Sequence, residues 1–125
     1  MSKLLLIIFF LFSQIQAIEI KELLSVYSGD IIYVNLKCNE PIFCNNIGIR
    51  LQGVYVPDIN SANKKERRLG ESARRYLEAI LSGVTYYELR SVSRGECFMI
   101  LAEIMVDGVS LSEIMISSGY AKDYD

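Results

Sequence analysis

The chain contains no histidine among its 125 residues. That absence excludes a Ser-His-Asp triad, a Cys-His nucleophile and any nuclease whose metal sits on imidazoles. Three cysteines without a histidine also argue against a structural zinc site. No glycine-rich phosphate loop of the Walker type is present, and no repeat or low-complexity tract. No apolar run approaches the roughly 20 residues that a bilayer-spanning helix needs. Basic residues are not in excess either: 13 Lys and Arg face 15 Asp and Glu. That balance is not that of a nucleic-acid coat protein.

What is present begins with a leader. Lys3 precedes the apolar run Leu4 to Phe12, and Ser13-Gln14-Ile15-Gln16-Ala17 follows. A basic start, a short greasy stretch and a small residue at the cut predict a signal peptide over 1–17 and an exported protein. Ile15 is an imperfect residue for a cleavage site, so a retained N-terminal anchor is the alternative. Residues 18–125 then form one domain, with no stable membrane span and a formal charge of −3 once Lys3 is gone. Roughly 108 residues suffice for a small core. Cys38 and Cys44 bracket a short loop, either as a disulfide, which export would favour, or as two free thiols on adjacent strands. Cys97 lies in an apolar stretch and is expected to be a buried, inert thiol.

Residues 18–27 and 30–37 pattern as two strands across Ser28-Gly29, and 47–54 as a third that Pro57 ends. In that third strand Ile47, Ile49 and Leu51 share one face, and Arg50 lies on the other. After a polar loop at 59–65, Leu69, Ala73, Tyr76, Leu77, Ile80 and Leu81 recur at helical spacing from Glu66 to Ser82-Gly83. Residues 84–92 and 97–106 pattern as two more strands. Ser110 and Glu113 form a capping box for a short helix through Ser118, which Gly119 stops. Five strands, with a helix after the third and a short C-terminal helix, predict an α+β OB-type barrel.

Without histidine, enzymatic chemistry falls to carboxylates, arginines and a hard cation held by oxygen, a combination suited to phosphodiester cleavage. Asp30 follows the tight turn, Arg50 lies on the third strand and Asp58 just beyond its end. Each taken alone fits an ordinary role as well: a turn residue, a surface ion pair, a loop acid beside proline. Lys64, Lys65, Arg67, Arg68, Arg74 and Arg75 concentrate basic charge on the helix, where a solvated face partly paired with Glu66, Glu71 and Glu78 explains them better than phosphate contact. Tyr86 and Tyr87 fit packing better than base stacking.

Several blocks together are similar to the staphylococcal nuclease (thermonuclease) family. Val26-Tyr27-Ser28-Gly29-Asp30 resembles its opening D-G-D-T turn, and Ile49 to Asp58 its R-L-x-x-x-D-T-P-E block. Residues 66–81 resemble the helix that follows. Glu96 to Ile104 resembles its Y-G-R-x-L-A-x-I strand, and Val106 to Lys122 its closing segment, so the likeness spans 26–124. The resemblance implies a Ca2+-dependent hydrolase of DNA and RNA with the nucleic acid in a groove on the barrel. It makes Asp30 a metal ligand, Arg50 a catalytic arginine, and Asp58 a stand-in for the general-base glutamate, about an ångström short. Tyr55 replaces the second metal-binding aspartate and Val56 the neighbouring threonine. Ser28 and Ile31 replace the first aspartate and the threonine of the turn. Met99 falls where the second arginine belongs, and Arg94, five residues earlier, is no convincing substitute. The expectation is a secreted nuclease-like domain with impaired catalysis that binds nucleic acid or protein. The alternatives are an active Ca2+-dependent endonuclease and an interaction module with no nucleic-acid role.

Overall fold

The structure, a computed structural model, describes residues 17–124; the expected leader over 1–17 lies almost wholly outside them. Among the described residues no helix is long and apolar enough to cross a membrane. Strands β1 (Ile18–Ser28), β2 (Ile31–Leu36) and β3 (Ile47–Leu51) form an antiparallel meander. Strand β5 (Tyr87–Arg94) pairs with the start of β1, and β6 (Ile100–Val106) pairs with β5. Parallel pairing of β3 with β6, Ile49 opposite Ile100, closes the ring. The expected five-stranded OB-type barrel is therefore the fold. Short pieces complete it: α1 (Pro41–Cys44), β4 (Val54–Tyr55), β7 (Val109–Ser110) and β8 (Lys122–Asp123).

Closure of so small a ring demands curvature. Strand β1 supplies it with three register shifts against β2, and β5 with one between Arg90 and Ser93, where Ser91 has φ 52°. Alternation then drives Ile32, Val34, Ile49, Leu89 and Ile104 inward, all essentially inaccessible. One end of the barrel is plugged by α2 (Lys64–Ser82) through Gly70, Ala73, Leu77 and Leu81, and Leu111 and Met115 of α3 (Leu111–Ser117) complete the core.

Helix α2 starts two residues before the expected Glu66. The reason is Asn63, whose Oδ1 accepts hydrogen bonds from the amides of Lys65 (2.9 Å) and Glu66 (3.1 Å). Its buried stripe is also rotated from the expected one, since Leu69 is exposed and Gly70 faces inward. Ser110 caps α3 as expected, accepting from the Glu113 amide, and Gly119 follows with φ 81°.

Cys38 and Cys44 form a disulfide with their Cα atoms 5.8 Å apart. A cross-link closing so short a loop contributes about 2 kcal/mol through the unfolded chain. It holds the single turn α1, from which Ile42 and Phe43 project into solvent. Cys97 corrects its expectation: the thiol is free and exposed. Strand β6 begins at Ile100 rather than Cys97, and residues 95–99 make a tight loop closed by Gly95 N to Met99 O and Met99 N to Glu96 O. Cys97 and Phe98 take φ of 54° and 64°, which turns both side chains outward. Apolar composition did not decide their burial; the reversal did.

Of the two tyrosines expected to pack, Tyr87 does so, while Tyr86 is 47% exposed and held by a side-chain hydrogen bond. Tyr87 is half-buried against the core, and burial raises its phenol pKa. Tyr86 donates its hydroxyl to Glu88, 2.9 Å away, and Arg90 donates to the other Glu88 oxygen at 2.8 Å. The Tyr86 bond first, then the Arg90 bond, hold the Glu88 carboxyl below the ordinary glutamate range. A depressed carboxyl pKa adds stability that is present above the unfolded value and is lost as pH falls through the folded one. Tyr86→Phe should therefore be less stable than wild type at pH 7, with the two urea midpoints converging below about pH 4. A gap that stays constant down to acid pH would show that the bond does not act through Glu88 ionisation.

Candidate nucleic-acid site on the barrel

Two backbone segments carry the acidic candidates, and both lie on one face of α2. The β1–β2 turn sits over Ala73: a Cβ on Gly29 would come within 2.7 Å of the Ala73 Cβ. One turn earlier, the 57–59 segment lies on Gly70, where a Cβ would meet Pro57 O at 2.7 Å and Ile59 N at 3.0 Å. Only a residue without a side chain allows that approach. Gly70 and Ala73, both buried, are thus the seat on which Asp30 and Asp58 are placed.

Asp30 is buried, and both of its carboxylate oxygens and its carbonyl accept hydrogen bonds. Ser28 Oγ donates to Oδ1 at 2.7 Å, Arg50 Nε donates to Oδ2 at 3.4 Å, and the Leu51 amide donates to its carbonyl at 2.7 Å. Strand register explains the meeting, since Arg50 is paired with Ile31, the residue after Asp30. Arg50 remains about half exposed at 47%, so its ion pair adds no more than about 1 kcal/mol, and the outer guanidinium nitrogens face solvent. Asp58 is exposed. Its Oδ1 accepts the Asn60 amide at 2.8 Å in a local turn, and Asn60 reaches the Tyr27 hydroxyl at 3.0 Å, tying the loop to β1.

An open cleft of about 1170 Å³ collects Asp30, Arg50 and Asp58, so the three sequence candidates do share one site. Glu66, Glu96, Tyr55, Tyr124 and Arg94 also border it. Arg94 is the residue that sequence reasoning set aside. It is the last residue of β5, exposed, and without a side-chain partner among the described residues. Its register partner Ile100 is also the partner of Ile49, which places Arg94 two strands, about 10 Å, from Arg50's neighbour. Arg50 and Arg94 thus line one cleft from the two strands that flank β6. Met99 instead turns away: it is half-buried, its Cγ 3.3 Å from where a Gly48 Cβ would stand.

Of the six basic residues of α2, two have side-chain partners among the described residues. Arg74 bridges Glu71 at 3.2 Å and Glu78 at 2.9 Å, and Arg67 caps the Ser61 carbonyl.

A family model described as staphylococcal nuclease homologue matches residues 48–125. The chain belongs to the staphylococcal nuclease family. No curated protein matches it. The matched segment holds Arg50, Asp58 and Arg94, and leaves the Asp30 turn to the part ahead of it.

Nucleases of this family generally depend on Ca2+, an ion that takes six to eight oxygens. The donors here do not fit it. Among the described residues no three acidic, cysteine or histidine side chains are grouped to hold a metal. Asp30 has one oxygen under a hydroxyl and the other under Arg50, and Tyr55 on the same cleft brings a phenol rather than a carboxylate. The positive charge beside Asp30 is a guanidinium of the protein itself.

Gly70→Ala should displace the 57–59 segment. The clash costs about 1–3 kcal/mol, offset by roughly 1 kcal/mol of helix propensity. The expected result is a net loss of about 1 kcal/mol in urea unfolding; an unchanged or raised midpoint would mean the segment yields freely and is not seated on Gly70.

Proposed function

We propose that this protein is an exported staphylococcal nuclease-family domain that binds nucleic-acid phosphate in the barrel cleft, with hydrolysis abolished or reduced to a trace. The observation that carries the reading is the Asp30–Arg50 contact: the carboxylate available to a metal orients an arginine instead. Arg50 and Arg94 then supply two cations without a metal. Loss of one transition-state donor costs on the order of 3–4 kcal/mol, and here Tyr55 and Met99 stand at two functional positions while Asp58 is short at a third. Four carboxylates border the cleft against two arginines, so binding is weak and its salt dependence shallow.

The active-nuclease reading has one observation in its favour, the gathering of Asp30, Arg50, Asp58 and Arg94 in one cleft. Supercoiled-plasmid cleavage with added Ca2+ separates the two. No nicking by wild type above an Arg50→Ala background is expected, while a labelled single strand binds equally in Ca2+ and in EDTA. Arg94→Ala should weaken that binding and lower the slope of log K against log salt by about 0.7. Cleavage by wild type that Arg50→Ala abolishes would establish the active enzyme. Absence of any strand binding would leave an interaction module.

Export is supported by the Lys3, Leu4–Phe12 and Ala17 pattern and by the Cys38–Cys44 disulfide, which persists in oxidising compartments. N-terminal sequencing of protein recovered from outside the cytoplasm should begin at Ile18; a retained Met1 would favour the anchor.

A further inference from the structure

Beside the cleft, across Tyr55, lies a second groove of about 580 Å³ between α2 and the β4–β8 ribbon. Tyr55, Pro57 and Glu66 border both hollows, so the two adjoin. Tyr55 is 51% exposed and stands directly opposite Lys122 in the antiparallel β4–β8 pair, where facing side chains lie about 5 Å apart. Lys65, in the first turn of α2, borders the same groove. Neither lysine side chain has a partner among the described residues. Glu66, the acid at the shared rim, is occupied by the Ser61 hydroxyl. Of the two tyrosines here, Tyr120 is already stacked on Tyr76 with centroids 4.2 Å apart, and Tyr55 has no such ring contact among the described residues. Exposed Leu69 supplies apolar surface beside it.

We infer that this groove is a second nucleotide subsite, in which a base stacks on Tyr55 and the flanking phosphates meet Lys122 and Lys65. A flat aromatic ring beside free cations, opening from a phosphate cleft, matches single-stranded nucleic acid: each base has a π-face and each linkage a charge. The substitution that removes a metal ligand from the neighbouring cleft thereby provides a platform for the adjoining base. The inference rests on the nucleic-acid reading above and extends it from one phosphate site to a path along the strand.

The test measures fluorescence anisotropy of a labelled thymidine dinucleotide and an eight-nucleotide oligothymidylate at two salt concentrations. Wild type should bind the longer strand more tightly. Tyr55→Ala should weaken the longer strand about tenfold more than the dinucleotide, and Tyr55→Phe should restore it. The double variant Lys65→Ala, Lys122→Ala should lower the salt slope for the longer strand by about 1.4 and leave the dinucleotide unaffected. Thermal unfolding checks that each variant is folded. Equal binding of both lengths by wild type, or equal losses for both in Tyr55→Ala, overturns the subsite while sparing the cleft. Failure of wild type to bind either strand overturns the nucleic-acid reading and the subsite with it. Displacement of the longer strand by an oligoglutamate peptide at equal concentration would assign the groove to acidic protein segments instead.

Discussion

Close contact between the face of α2 at Gly70 and Ala73 and two backbone segments organises this molecule. The β1–β2 turn rests on Ala73 and the 57–59 segment on Gly70, each near 2.7 Å from a Cβ that would not fit. The helix that plugs the barrel therefore also sets the height of Asp30 and Asp58 above the cleft. Core packing and site geometry are one constraint. Leu77 and Leu81 anchor the helix through buried apolar area, and its small residues convert that anchoring into position.

Within that frame the charge of Asp30 is met from inside the protein. A metal-dependent site needs carboxylates converging on an empty centre. Here Asp30 has its oxygens satisfied by Ser28 and Arg50, and no third acidic ligand joins it among the described residues. The arrangement is self-compensated: the buried carboxylate is hydrogen-bonded and its charge is opposed without an ion. Arg50 remains half exposed, and Arg94 joins it on the cleft wall. The cleft wall thus carries two arginines among four carboxylates.

Much of the barrel was legible from the chain because strands and helices declare themselves by local periodicity. The alternation through Ile47, Ile49 and Leu51 and the spacing through Ala73, Leu77 and Leu81 each report one buried face, and the Ser110 cap and Gly119 stop are local chemistry. The failures were equally local in origin. The helix began early because Asn63 satisfied two amides, and Leu69 fell outside the buried stripe because Gly70 had to face the 57–59 segment. Cys97 and Phe98 looked like strand interior, yet the reversal at 95–99 put both outside.

Residue type and order were enough for the barrel and the family, and they put Asp30, Arg50 and Asp58 forward as candidates. Tertiary structure alone decided that Arg50 is committed to Asp30, that Arg94 reaches the cleft while Met99 leaves it, and that Tyr55 joins two hollows. Each of those facts depends on strands brought together by barrel closure: Arg94 and Arg50 are far apart in the chain and become neighbours only through β6. Spacing along a chain cannot report that proximity, because it arises from the parallel pairing that closes the ring.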